Sequence, residues 1–174
     1  MRFLYTGAKE FMLDQTDPDN SLGGFCSKSP VPNRINNLFS DVSYLSIFNE
    51  NEECRAIVIE NNSSNAINDV KIGYKYDKSL YDIQIAVVEL NQDGNMERIS
   101  NSRDIPYYAE FIEADITDTE DNSMELDFEA NKRYGIWVKR KILPQRTKSC
   151  VDLNNQTTTP LETIDFEFII KYEE

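Results

Sequence analysis

The side chains able to do chemistry in this chain are carboxylates and cysteines, because its 174 residues include no histidine. That lack removes Ser-His-Asp and Cys-His nucleophile pairs, imidazole acid–base steps and histidine metal ligands. With 31 Asp and Glu residues, almost any fold brings two together, so paired carboxylates do not by themselves indicate glycoside hydrolysis. Asp115, Asp118, Glu120 and Asp121 offer oxygen ligands to Ca²⁺ but lack the glycine and spacing of an EF-hand, and a solvated acidic loop is the commoner origin of such a run. Cys26, Cys54 and Cys150 are odd in number and far apart, which indicates neither a disulfide framework nor a metal knuckle. Cys26 has Lys28 as its one nearby base and reads as a small apolar residue. Trp137 with Tyr74, Tyr76, Tyr107 and Tyr108 would make a sugar-stacking platform if exposed, although alternating aromatics in strands usually pack in a core. No enzyme, cofactor or metal is expected.

The elements that must position these residues are strands. Val70, Ile72 and Tyr74 alternate with Lys71, Gly73 and Lys75, the period-two pattern of a half-buried strand. Similar or β-branched runs occupy 42–48, 54–60, 83–90, 107–112, 124–128, 134–142 and 164–170, with a weak return strand at 96–99. Residues 1–14 read as either a strand or one helical turn. Asp93-Gly94 predicts a hairpin between 83–90 and 96–99, and a short turn predicts another between 124–128 and 134–142. Turn signals recur about every ten residues without a long helical period, the pattern of an antiparallel β-sandwich. The run IVIENNSSNAINDVKIGYKY is similar to adjacent strands of immunoglobulin-like domains. The fold expected is all-β, an antiparallel immunoglobulin-like β-sandwich over 42–174 behind an irregular extended N-terminal arm over 1–41.

Charge narrows the partners. A net charge of −13 opposes binding to nucleic-acid phosphates. Residues 110–129 carry nine acids and no base, whereas 132–148 carry seven bases and no acid, so the two halves either pair internally or mark two faces. DNA contact is expected, if anywhere, only at Lys139, Arg140 and Lys141. No signal-peptide run or membrane span is visible, so synthesis in a reducing cytoplasm is expected.

The stretch 15–43 is the least regular. It holds Pro18, Pro30 and Pro32 and the sole Gly-Gly pair, Gly23-Gly24, yet Leu22, Phe25, Val31, Ile35, Leu38 and Phe39 recur through it. A solvated linker would be polar throughout, so this segment is expected to lie across a surface, its own or a neighbour's.

Several of its residues carry a resemblance: Gln15-Thr16-Asp17-Pro18, Ser21-Leu22-Gly23-Gly24-Phe25, Pro32-Asn33 and Asn37-Leu38-Phe39-Ser40-Asp41-Val42-Ser43. Together with the late strand Tyr134-Gly135-Ile136-Trp137-Val138-Lys139-Arg140, they resemble virion structural proteins of the crAss-like short-tailed bacteriophages. The resemblance covers about a quarter of the chain. It implies a non-enzymatic, homo-oligomeric ring subunit in the portal-proximal neck or tail, made in the host cytoplasm and contacting portal, ring or tail proteins but no membrane. The assembly contacts then fall on Gln15, Pro18, Leu22, Gly23, Gly24, Phe25, Pro32, Asn33, Leu38, Phe39, Trp137 and Arg140. A carbohydrate-binding or adhesion module on a virion or cell surface is the alternative reading.

Overall fold

The computed structural model describes residues 1–8, 14–32, 38–39, 51–75, 81–116, 122–143 and 167–171. Nine strands account for most of them: β1 (Arg2–Gly7), β2 (Gly23–Pro30), β3 (Asn51–Glu60), β4 (Ile67–Lys75), β5 (Tyr81–Glu89), β6 (Met96–Arg98), β7 (Met124–Phe128), β8 (Arg133–Ile142) and β9 (Glu167–Lys171). One 3₁₀ turn, Pro18–Asn20, precedes β2, and among the described residues no helix is long and apolar enough to cross a membrane. The strands form a six-stranded sheet, β5-β8-β3-β1-β2-β6, and a three-stranded sheet, β7-β4-β9, with every strand pairing antiparallel. The chain is all-β and sandwich-like.

The large sheet is buried on both faces, which explains why β3 reads as a continuous apolar run. One face carries Ile57, Ile59, Ile85 and Ile136 and packs against Val70, Ile72 and Phe128. The other carries Leu4, Ala56, Val58 and Trp137 and packs against Leu22, Met96 and Ile99. Val58, Ile59 and Ile136 are wholly inaccessible. Each such side chain contributes roughly 1.5–3 kcal/mol relative to exposure.

Four expectations are corrected. Residues 23–30 are not irregular: they form β2, which pairs with β1 on one side and, through Gly23 and Gly24, with β6 on the other. Consequently no boundary at 41 sets the described N-terminal residues apart, since β1 and β2 lie in one sheet with β3, β5 and β8. Residues 107–112 make no strand; only Ile112 bridges to Ile85. Neither predicted hairpin forms, although both chain reversals do. After β5, the Gly94 N–H bonds to the Asn91 carbonyl at 2.9 Å, but β5 then pairs with β8 and β6 with β2. After β7, Asn131 adopts φ 58° and the chain crosses from the small sheet to the large one. Phe128 and Tyr134 remain in edge-to-face contact at 4.6 Å, and the buried Asn61 Nδ2 holds the crossing through the carbonyls of Phe128 (3.3 Å) and Glu129 (3.1 Å). A turn motif specifies a reversal; the apolar faces choose the partner.

Residues 1–14 resolve in favour of a strand over Arg2–Gly7. The expected strand at 42–48 lies outside the described residues, as does the first part of 164–170.

Candidate functional site

Most of the described residues expected to reach a neighbour are held inside this chain. Gln15 is buried, with its Nε2 donating to the Thr6 carbonyl at 2.7 Å and its own carbonyl accepting from Ser27 Oγ at 3.0 Å. Ser21 Oγ donates to the Ala56 carbonyl at 2.5 Å and accepts the Thr6 N–H at 3.0 Å, while Thr6 Oγ1 accepts the Gly23 N–H at 3.0 Å. These hydroxyls and amides fasten the start of β2 to β1 and β3 by satisfying buried backbone groups that would otherwise be costly. Thr6 and Ser27 carry no signal in the sequence, and Ser21 stands there only within a resemblance motif, because nothing in a Ser or Thr distinguishes a buried network from a wet loop.

Gly23 and Trp137 form a second internal contact. Gly23 has φ +81°, and a methyl group there would lie 1.9 Å from the Glu97 carbonyl oxygen and 2.9 Å from the Trp137 ring. Gly24 has φ +91°, with the Gly7 carbonyl oxygen 2.6 Å from its would-be methyl. Trp137 is 1% exposed, so it is core and not a sugar platform; Tyr74 is likewise buried, and Tyr76 lies outside the described residues.

Phe39 and Arg140 form the third. The Arg140 guanidinium carbon sits 4.4 Å from the Phe39 ring centroid and that of Arg55 5.7 Å, so two buried cations flank one ring. Arg140 is paired with Glu53 at 2.8 Å, and Arg55 with Asp19 at 2.8 Å. Leu38 is buried beside Phe39. Pro18, Phe25 and Pro32 are half-buried, and Asn33 lies outside the described residues. Leu22, Leu38 and Phe39, expected to plug into another chain, fill this chain's own two cores instead.

Among the described residues, the bases of β8 pair with β3, while Lys132 just before it pairs with Glu129 at 2.9 Å. Lys139 pairs with Glu52 at 3.2 Å, and Lys141 lies in register between Glu52 of β3 and Asp82 of β5. At the other end of β3, Glu60 accepts hydrogen bonds from Arg2 Nε at 2.7 Å and Arg133 Nε at 2.8 Å, a row across three strands. Burial alone would raise the Glu60 carboxyl, but the bonds from the two guanidiniums outweigh it and hold the group below its ordinary value of 4.5. A depressed folded-state value stabilises the protein above pH 4.5 and ceases to do so as pH falls through that folded value. Acid titrations followed by circular dichroism should therefore show a shallower loss of stability below pH 4.5 in Glu60→Gln than in the wild type. An unchanged acid limb would remove Glu60 from the account.

Catalytic geometry does not emerge from these groups. Burial pushes the Cys54 thiol up to about 12, with Glu52 adding to the effect, and Cys26 is raised mainly by burial. Both are poor nucleophiles at neutral pH, and Cys150 lies outside the described residues. Asp115 is buried, while Asp118, Glu120 and Asp121 lie outside the described residues; among those described, no three His, Cys, Asp or Glu side chains cluster to hold a metal ion.

One feature faces outward instead. Ile105 is 56% exposed, Tyr107 84% and Tyr108 79%, all on one loop after β6. This loop is supported: the Glu97 carboxylate accepts the Tyr107 N–H at 2.9 Å and the Tyr108 N–H at 3.2 Å, and Asp104 Oδ2 accepts the N–H groups of Ser100 and Asn101, each at 3.1 Å. Pro106 is buried beneath it. The two tyrosine rings stand edge to face at 4.9 Å. The chain then runs through Ile112, bonded to β5, to Ala114 and Ile116, bonded to Tyr74 of β4, so one strap joins both sheets.

No protein-family model matches this chain, and neither a curated protein nor a solved structure matches it.

Proposed function

We propose that this chain is a non-enzymatic structural subunit of a bacteriophage particle, an immunoglobulin-like sandwich that joins an oligomeric ring in the neck or tail. The reading rests on the resemblance carried by residues 15–43 and 134–140. The observation that best supports an assembly role is the pair Tyr107 and Tyr108, whose N–H groups are held by Glu97 and whose rings stand in solvent, while Tyr74 and Trp137 are core. Exposed aromatics fixed on a scaffold are the anchors of protein interfaces. A carbohydrate platform fits less well, because rings at 87° to one another cannot both lie flat against one sugar face. Contact is assigned to this loop and not to the buried Leu22, Leu38 and Phe39. Mass spectrometry of purified particles should find the chain at a fixed multiple of the portal protein. Particles lacking it would end this reading.

A further inference from the structure

The Tyr107–Tyr108 loop has a definite chemistry. Two tyrosines, 84% and 79% exposed, project beside the 56% exposed Ile105 from a loop whose backbone is pinned by Glu97 and Asp104. Among the described residues, neither ring belongs to a core cluster. Pinning the backbone lowers the ordering cost of docking, and each ring offers a flat, electron-rich face.

Charge selects the occupant. Glu110 and Glu113, both exposed, follow the tyrosines immediately and open the acidic run, while Arg103 is the single base between residues 99 and 131. A second copy, also carrying −13, is repelled from this surface; a basic protein is attracted to it. Arginine is the cation that both stacks on tyrosine and pairs with carboxylates, and it is enriched in interfaces.

We propose that the Tyr107–Tyr108 knob, with Ile105, Glu110 and Glu113, docks a partner protein of a different sequence that presents arginines interleaved with apolar side chains. This inference names a partner chemistry for the assembly role above and rests on that reading, but its test needs no particle, so the two can fail separately.

The test titrates the full chain at low salt with a capped peptide of alternating arginine and leucine, followed by amide chemical shifts and calorimetry. Wild type should bind, with shifts concentrated in 97–113, and the Tyr107→Ser, Tyr108→Ser double variant should bind about fivefold or more weakly. That variant keeps every charge, and its thermal unfolding should match the wild type because both rings are exposed. Equal binding by variant and wild type, or none by wild type, would overturn the proposal. So would concentration-dependent self-association of wild type that the variant abolishes, which would assign the knob to a second copy.

Discussion

Deleting residues 15–39 is expected to abolish cooperative folding. The deletion removes β2, and with it the pairing partner of β6 and the outer neighbour of β1. It also removes Ser21, whose carbonyl accepts the Ala56 N–H at 2.7 Å, and Leu22, whose carbonyl accepts the Ile99 N–H at 3.0 Å. Leu22 leaves one core cluster, and Leu38 and Phe39 leave the other. The loss of Phe39 alone is of the order of 3–5 kcal/mol for a buried aromatic, and the usual stability of a domain is about 5–15 kcal/mol. Buried Arg55 would lose Asp19 and the Phe39 ring together. Urea unfolding followed by tryptophan fluorescence is a direct check, because Trp137 packs in the same cluster as Leu22. A truncated chain with a sharp transition near the wild-type midpoint would show that the segment is a detachable arm after all.

The second large effect belongs to Gly23→Ala. A positive φ costs a non-glycine residue about 1–2 kcal/mol by itself. At Gly23 the added methyl would also overlap the Glu97 carbonyl oxygen at 1.9 Å, a backbone atom of β6 that cannot move without breaking the Gly23 to Arg98 pairing. The substitution should cost about 4 kcal/mol or more, in the range reserved for severe backbone and packing defects. Gly94→Ala is the internal control: its φ is +76°, yet nothing lies within 4 Å of its would-be methyl, so only the torsional cost of about 1–2 kcal/mol applies. Equal thermal shifts for the two variants would show that the β2–β6 contact yields freely. Because β6 carries Glu97, a displaced Gly23 should also loosen the tyrosine loop.

The strands with alternating or β-branched residues were legible in the sequence. Val70, Ile72 and Tyr74 are buried on one side of β4 as their spacing implies, and the run through Ile57, Val58 and Ile59 marks the central strand of the large sheet. β2 was not legible, since Gly-Gly-Phe-Cys-Ser-Lys-Ser-Pro has neither β-branched residues nor an apolar alternation. Its place is secured by hydrogen bonds from Gln15, Thr6 and Ser21, and partners in a polar network are not encoded by spacing. The charge split was visible, but its resolution was not: β8 draws its counter-ions from Glu52, Glu53 and Glu60 because register places β3 beside it. Tyr107 and Tyr108 were noticed as aromatics. That both rings stand in solvent on a loop whose N–H groups are held by the Glu97 carboxylate is something no local pattern announces.

The order β5-β8-β3-β1-β2-β6 also dictates when the protein can fold. β3 sits between β1 and β8, and the Glu60 to Arg133 pair spans 73 residues. Among the described residues, β1 and β2 are the only strands adjacent in sequence that pair with each other. A nascent chain can therefore pair β1 with β2 and β3, β2 with β6 and β4 with β7, but its apolar β3 waits with one edge open until β8, ending at residue 142, leaves the ribosome. Topologies of this kind fold in milliseconds to seconds and depend on delayed long-range closure. The hydroxyl network on Ser21, which joins β1, β2 and β3, can close once Ala56 is available, after the β1–β2 pair and well before β8, which makes it a natural nucleus for what is translated later.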